Sequence, residues 1–87
     1  MDGDADREEV IVYATRWCLD CKRSEKFFRK NRIDFQRVDI DEDPEGEQFV
    51  INVNNGSRSV PTIVFPDGSI LVEPSNKELA AKLGLEK

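Results

Sequence analysis

A chain of 87 residues with a formal net charge of −5, 38% hydrophobic residues and two cysteines has room for one small domain, which buries only about 60% of the surface its unfolded form exposes. That length excludes a separate substrate domain, and two cysteines in one tight pair exclude a scaffold stapled across distant segments by disulfides. No apolar run approaches the ~20 residues of a membrane span.

The first nine residues carry five acids and one base. They lack apolar periodicity, so residues 1–9 are expected to be a flexible acidic leader and residues 10–87 a single domain. An acidic start is the opposite of a secretory signal, and with the sparse cysteines it leads to an expected cytoplasmic location and no membrane partner. Val10-Ile11-Val12-Tyr13-Ala14 is a short apolar run rich in β-branched residues, which predicts a central strand covered on both faces. It delivers the chain to Thr15-Arg16-Trp17-Cys18-Leu19-Asp20-Cys21-Lys22.

From Leu19 to about Asn31 the residues favour a helix, with Cys21, Ser24, Phe27, Phe28 and Asn31 on one inward stripe. Ile33 to Ile40 alternates at period two and predicts a strand with one wet face. Asp43-Pro44 supplies an N-cap and a first-turn proline for a second helix that should turn Phe49, Val50 and Val53 inward and stop at Asn54-Asn55-Gly56. Val60-Pro61 leads into a strand, Thr62 to Phe65; Pro66-Asp67-Gly68-Ser69 is a turn, and Ile70-Leu71-Val72 forms the second arm of a hairpin. Ser75-Asn76-Lys77-Glu78 is a capping box for a last helix, with Leu79, Ala80 and Leu83 inward and Gly84 as its stop. The order β-α-β-α-β-β-α predicts an α/β fold: a four-stranded mixed sheet, opened by a right-handed parallel βαβ unit and covered by helices.

Charge is segregated along the chain. Arg16 to Arg37 holds eight bases against three acids, and Asp39 to Glu47 holds six acids. The basic helix reads as a solvated face rather than a nucleic-acid surface, because the chain is acidic overall and its bases are not interleaved with exposed aromatics.

Two thiols separated by two residues at the start of a helix lie one turn apart, within reach of a disulfide. Cys18 sits at the helix N-terminus, where unpaired N–H groups and the macrodipole favour a thiolate; Cys21 lies on the inward stripe. Cys18 is therefore the expected nucleophile and Cys21 the expected resolving thiol. Arg16 and Lys22 should add to the activation of Cys18, whereas Asp20 should oppose it. Half of a structural zinc site is the first competing reading, but the chain has no histidine and no third cysteine, so no metal is expected. Two inert structural thiols are the second.

These motifs together resemble the thioredoxin superfamily and, by size, its glutaredoxin branch, over about residues 10 to 83. Trp17-Cys18-Leu19-Asp20-Cys21 after the first strand and Val60-Pro61-Thr62 before the third carry the resemblance. Within the branch the chain looks most like the actinobacterial glutaredoxin-like proteins called mycoredoxins, through Asn55-Gly56-Ser57-Arg58-Ser59-Val60-Pro61-Thr62 and Asp67-Gly68-Ser69. The resemblance implies a thioredoxin-like three-layer α/β/α fold and a cis Val60–Pro61 bond beside the cysteines. It leaves the Val60 backbone free to pair with an extended substrate or thiol cofactor. It also implies thiol–disulfide exchange on protein disulfides, or on mixed disulfides of proteins with a low-molecular-weight thiol. Arg16, Trp17, Arg58, Val60 and Pro61 would form the binding surface, Arg58 holding a carboxylate of the thiol.

No tightly bound cofactor is expected. The electron donor would be a low-molecular-weight thiol, mycothiol-like or glutathione, or a flavoenzyme such as thioredoxin reductase, and the protein would act as a monomer. Thr15 where glutathione-using relatives usually have lysine, and Val72-Glu73-Pro74 where they usually have a Gly-Gly pair, point away from glutathione itself. An iron–sulfur cluster carrier or adaptor without turnover is the alternative that the resemblance keeps open.

Overall fold

The computed structural model describes residues 9–85. All of the expected leader but Glu9, and the last two residues of the expected domain, lie outside the described residues. Seven elements follow in the expected order: β1 (Val10–Ala14), α1 (Leu19–Lys30), β2 (Phe35–Asp39), α2 (Pro44–Val53), β3 (Thr62–Val64), β4 (Ile70–Val72) and α3 (Asn76–Lys82). The sheet runs β2-β1-β3-β4, with β1 parallel to β2 and antiparallel to β3, and β3 antiparallel to β4.

Alternation along β1 sends Val10, Val12 and Ala14 to one face, where they pack with Cys21 and Phe28 of α1, Leu79 of α3, and Ile63 and Phe65 into the buried core. The opposite face belongs to α2. Tyr13 stacks on Phe49 with ring centroids 4.9 Å apart, and a side chain on Gly46 would meet Val38 Cγ1 at 2.9 Å. Glycine weakens a helix interior, but here it lets α2 lie close on β2. The result is three layers with the sheet in the middle.

Each helix begins and ends by local chemistry. Cys18, Asp43 and Ser75 are the N-caps, and Ser75 and Glu78 form a reciprocal capping box. All three helices end on a left-handed residue, Arg32 (φ 58°), Asn55 (φ 57°) or Gly84 (φ 73°). The next N–H returns to the last turn: Ile33 to Phe28 O, Gly56 to Ile51 O and Leu85 to Ala80 O, each at 2.8 Å.

That ending shortens the second strand. Ile33 belongs to the helix stop, so β2 starts at Phe35 and not at Ile33, although Ile40 still donates to Ala14 O at 3.0 Å beyond its other end. β3 stops at Val64 because the Phe65 N–H closes the hairpin turn on Ser69 O at 2.9 Å. Two inward assignments change. Asn31 is the exposed C-cap of α1, and the buried line runs instead through Cys21, Ser24, Glu25 and Phe28. Val53 is 37% exposed, since the inward line of α2 follows Gly46, Val50 and Asn54 at i+4 spacing and leaves Val53 on the flank.

Candidate active site

β1 sits in the interior of the sheet and ends at Ala14, a short turn leads from it to α1, and the cysteines stand at the start of that helix, Cys18 as its N-cap and Cys21 in its first turn. Cys18 and Cys21 are joined as a disulfide with Cα atoms 5.2 Å apart, within the usual disulfide span. Cys18 has extended backbone and caps α1: the Cys21 N–H donates to Cys18 Sγ at 3.0 Å. Cys18 is half-buried and Cys21 fully buried. The two cysteines thus differ in access, and the more accessible Cys18 sits at the positive end of the helix.

The Val60–Pro61 bond is cis. Val60 O lies 3.7 Å from Cys18 Sγ, while the Val60 N–H makes no hydrogen bond among the described residues. Thr62 holds this loop in place. Its buried hydroxyl donates to Ser59 O at 2.7 Å and accepts from Asn54 Nδ2 at 3.1 Å, and Asn54 Nδ2 also donates to Val50 O at 2.8 Å. The end of α2 therefore supports the segment facing Cys18. Nothing in the local sequence around Asn54, a helix-stop residue, announces that support.

Trp17 is 82% exposed and Leu19 79% exposed, so Trp17 is surface and not core. Arg16 lies 3.8 Å from Glu42 and shares an open polar cleft of about 630 Å³ with Lys22, Glu25, Arg37, Asp39 and Glu42. Arg58 is not brought to the sulfurs' immediate contacts. Its guanidinium pairs with Asp41 and, at 2.7 Å, with Glu47. The hydrogen bond to Asp41 and the charges of Glu47 and Asp41 raise its pKa further, and an incoming carboxylate would compete with two already in place. Asp20 pairs with Arg23 at 3.2 Å, so its charge near the helix start is partly compensated.

Sequence reasoning missed Glu25 and Arg37. Glu25 is buried on α1, one turn past Cys21, and accepts from Arg37 Nε at 3.0 Å and Arg29 Nη2 at 3.4 Å. Arg37 Nη2 also donates to Thr15 O at 3.0 Å. One guanidinium thereby ties β2 to α1 and to the turn that carries Trp17 and Cys18. The available signal was an acid at i+4 from an inward cysteine, a position that demands a partner. Ser24 Oγ is buried with no hydrogen-bond partner among the described residues.

A glutaredoxin family model matches residues 10–70 of this sequence. The chain belongs to the glutaredoxin family. Over 74 residues it is 44% identical to a Mycobacterium tuberculosis protein named as a glutaredoxin, covering 85% of this chain and 88% of that one. Over 74 residues it is 36% identical to mycoredoxin 1 of Corynebacterium glutamicum, covering 85% and 91%. In fold it is similar to a mutant of the thioredoxin-like protein BC3987, with a TM-score of 0.79 at 24% identity over 91% of this chain and 99% of that one. This glutaredoxin is thus a redox protein of thioredoxin-like fold with a Cys-x-x-Cys motif. Among its described residues, no group of three or more His, Cys, Asp or Glu side chains is arranged to hold a metal ion, and no helix is long and apolar enough to cross a membrane.

Proposed function

We propose that this glutaredoxin reduces protein disulfides, or mixed disulfides between proteins and a low-molecular-weight thiol, with Cys18 as nucleophile and Cys21 as resolving thiol. The observation that carries the reading is the asymmetry of the pair: a half-buried Cys18 capping α1 with its Sγ 3.7 Å from Val60 O, and a fully buried Cys21. The helix end and the Cys21 N–H favour a thiolate at Cys18. That thiolate attacks one substrate sulfur; a Cys18–substrate disulfide forms as the substrate disulfide breaks, and the departing sulfur takes up a proton. Cys21 then attacks Cys18 Sγ, closing the Cys18–Cys21 bond and releasing the second substrate thiol. The two protons and two electrons of the reduced pair end on the two substrate thiols.

Val60 and Pro61 would align an extended substrate segment against the site, with Trp17 and Arg16 at its edge. Since Arg58 is held by Asp41 and Glu47, its part in binding a thiol cofactor would require exchange of those partners. The domain would work as a monomer in the cytoplasm. Its electrons would come from a mycothiol-like thiol or glutathione, or from a flavoenzyme such as thioredoxin reductase.

The experiment is substitution at each cysteine. Cys18→Ser should abolish reductase activity, and Cys21→Ser should spare turnover of mixed disulfides that a second free thiol can resolve. Equal inactivity of the two variants on such mixed disulfides would show that the thiol-resolved route is wrong. Supplying NADPH with thioredoxin reductase, or glutathione or mycothiol with its own reductase, identifies the donor by which one sustains turnover.

A further inference from the structure

We propose that the outer ridge of α1 is a docking strip for disulfide-bearing proteins whose surface next to the disulfide is acidic; this rests on the oxidoreductase reading and names its substrate class. Lys22, Lys26 and Lys30 recur every fourth residue, so they stand one above another on one line of the helix. All three are exposed, and none forms an ion pair with any described residue. The neighbouring arginines are compensated, Arg23 by Asp20 and Arg29 by Glu25.

Four of the six acids from Asp39 to Glu47 are occupied by arginines, Asp39 by Arg37, Asp41 and Glu47 by Arg58, Glu42 by Arg16, and Asp43 caps α2. Of the five described cations without an ion-pair partner, three therefore stand in this row; Arg32 follows two residues past its end and Lys77 lies on α3. Like charges at that spacing destabilise a helix, and an anionic surface laid along the row would relieve the repulsion.

The row is also well placed. It starts one residue beyond Cys21 and, at a rise of ~1.5 Å per residue, extends about 12 Å from Lys22 to Lys30. Exposed Leu19 lies three residues before Lys22 and heads the same face, beside exposed Trp17. A partner seated on the lysines would thus reach Cys18 with an apolar contact at the tip. Along the flank, Arg23, Lys26, Phe27, Lys30, Asn31 and Asn76 line an open groove of about 510 Å³. Half-buried Phe27 gives it an apolar wall and the lysines a cationic rim. A nucleic acid fits less well: the chain's net charge of −5 repels an extended polyanion, whereas a local acidic patch meets only the row.

The test uses the reduced full chain and three cyclic disulfide peptides that differ only in their flanking residues, glutamate, lysine or serine, with neutral hydroxyethyl disulfide as reference. At low ionic strength the glutamate peptide should be reduced about tenfold faster than the lysine peptide, and about 0.5 M salt should erase most of that difference. Lys26→Glu/Lys30→Glu, which leaves Lys22 beside the cysteines in place, should lose or invert the preference while reducing hydroxyethyl disulfide at the unchanged rate. Equal rates for the three peptides with the natural chain, or a preference that survives in the double variant, would overturn the docking strip and leave the oxidoreductase reading standing. Duplex DNA binding that the double variant loses, without any peptide preference, would reassign the ridge to nucleic acid. Inertness towards hydroxyethyl disulfide and all three peptides would remove the oxidoreductase reading, and the docking strip with it.

Discussion

Cys18 differs from Cys21 because it is the N-cap of α1: its Sγ receives the Cys21 N–H at 3.0 Å, while Cys21 starts the buried line of the same helix. The residues between and after the cysteines tune that setting. Asp20 is a carboxylate in the first turn, which suits the helix dipole but opposes a thiolate. The sequence alone therefore predicts that Asp20→Asn lowers the Cys18 pKa. In the fold, Arg23 lies 3.2 Å from Asp20 and offsets much of that repulsion. Asp20→Asn should accordingly move the Cys18 titration little. Arg23→Ala, which frees the carboxylate, should move it up by roughly half a pH unit or less, the scale of an exposed ion pair. Thiolate absorbance of the reduced variants, followed across pH, checks both. An upward movement in Arg23→Ala that persists in the double variant with Asp20→Asn would show that Arg23 acts on the thiol directly.

At the scale of elements, Arg37 is the joint of the site. From β2 it reaches Glu25 on α1 and Thr15 O in the β1–α1 turn, each at 3.0 Å. Arg37→Ala would leave a buried carboxylate with only Arg29 and release the turn that presents Trp17 and Cys18. A loss of about 1–3 kcal/mol is expected, the cost of stranding a buried polar group. It should come with slower reduction of protein disulfides. Arg37→Lys keeps the charge but not the two-armed geometry and should recover stability only in part. Urea unfolding and turnover measured on the same preparations check this; full stability in Arg37→Ala would mean that Arg29 suffices for Glu25. The β-α-β-α-β-β-α order, the N-caps of α2 and α3, the hairpin turn and the cysteine pair were legible in the sequence because each rests on local patterns. The Glu25–Arg37–Thr15 joint was not, since it links residues 12 and 22 positions apart in the chain, which only the parallel pairing of β1 and β2 brings side by side. The same holds for Asn54 and Thr62, eight residues apart across the loop that faces Cys18.

For the molecule as a whole, the hairpin and the last helix are closed by Asp67, whose carboxylate accepts from Lys82 Nζ at 2.7 Å and from the Ser69 N–H and hydroxyl at 2.9 and 2.7 Å. The bond from Lys82, then those from Ser69, hold Asp67 well below the ordinary carboxylate range of 3.8. A folded-state value lowered in this way contributes stability that is fully present above the unfolded value and is lost as pH falls below it. Asp67→Asn should therefore unfold at a lower urea midpoint than the natural chain at neutral pH. The gap should narrow steadily as the pH is taken below about 4. A gap independent of pH would assign the effect to lost hydrogen bonding rather than to the ion pair.

Local sequence by itself determined the order of the elements, the N-caps of α2 and α3 and the cysteine pair at the start of α1, because capping, strand periodicity and a two-residue cysteine spacing act within a few residues of one another. The tertiary structure decided which charges remain available. Arg58, Arg16, Arg23 and Arg37 all find acids, and Lys22, Lys26 and Lys30 find none among the described residues. Ion pairing depends on what folding brings within about 4 Å, and composition carries no record of that distance.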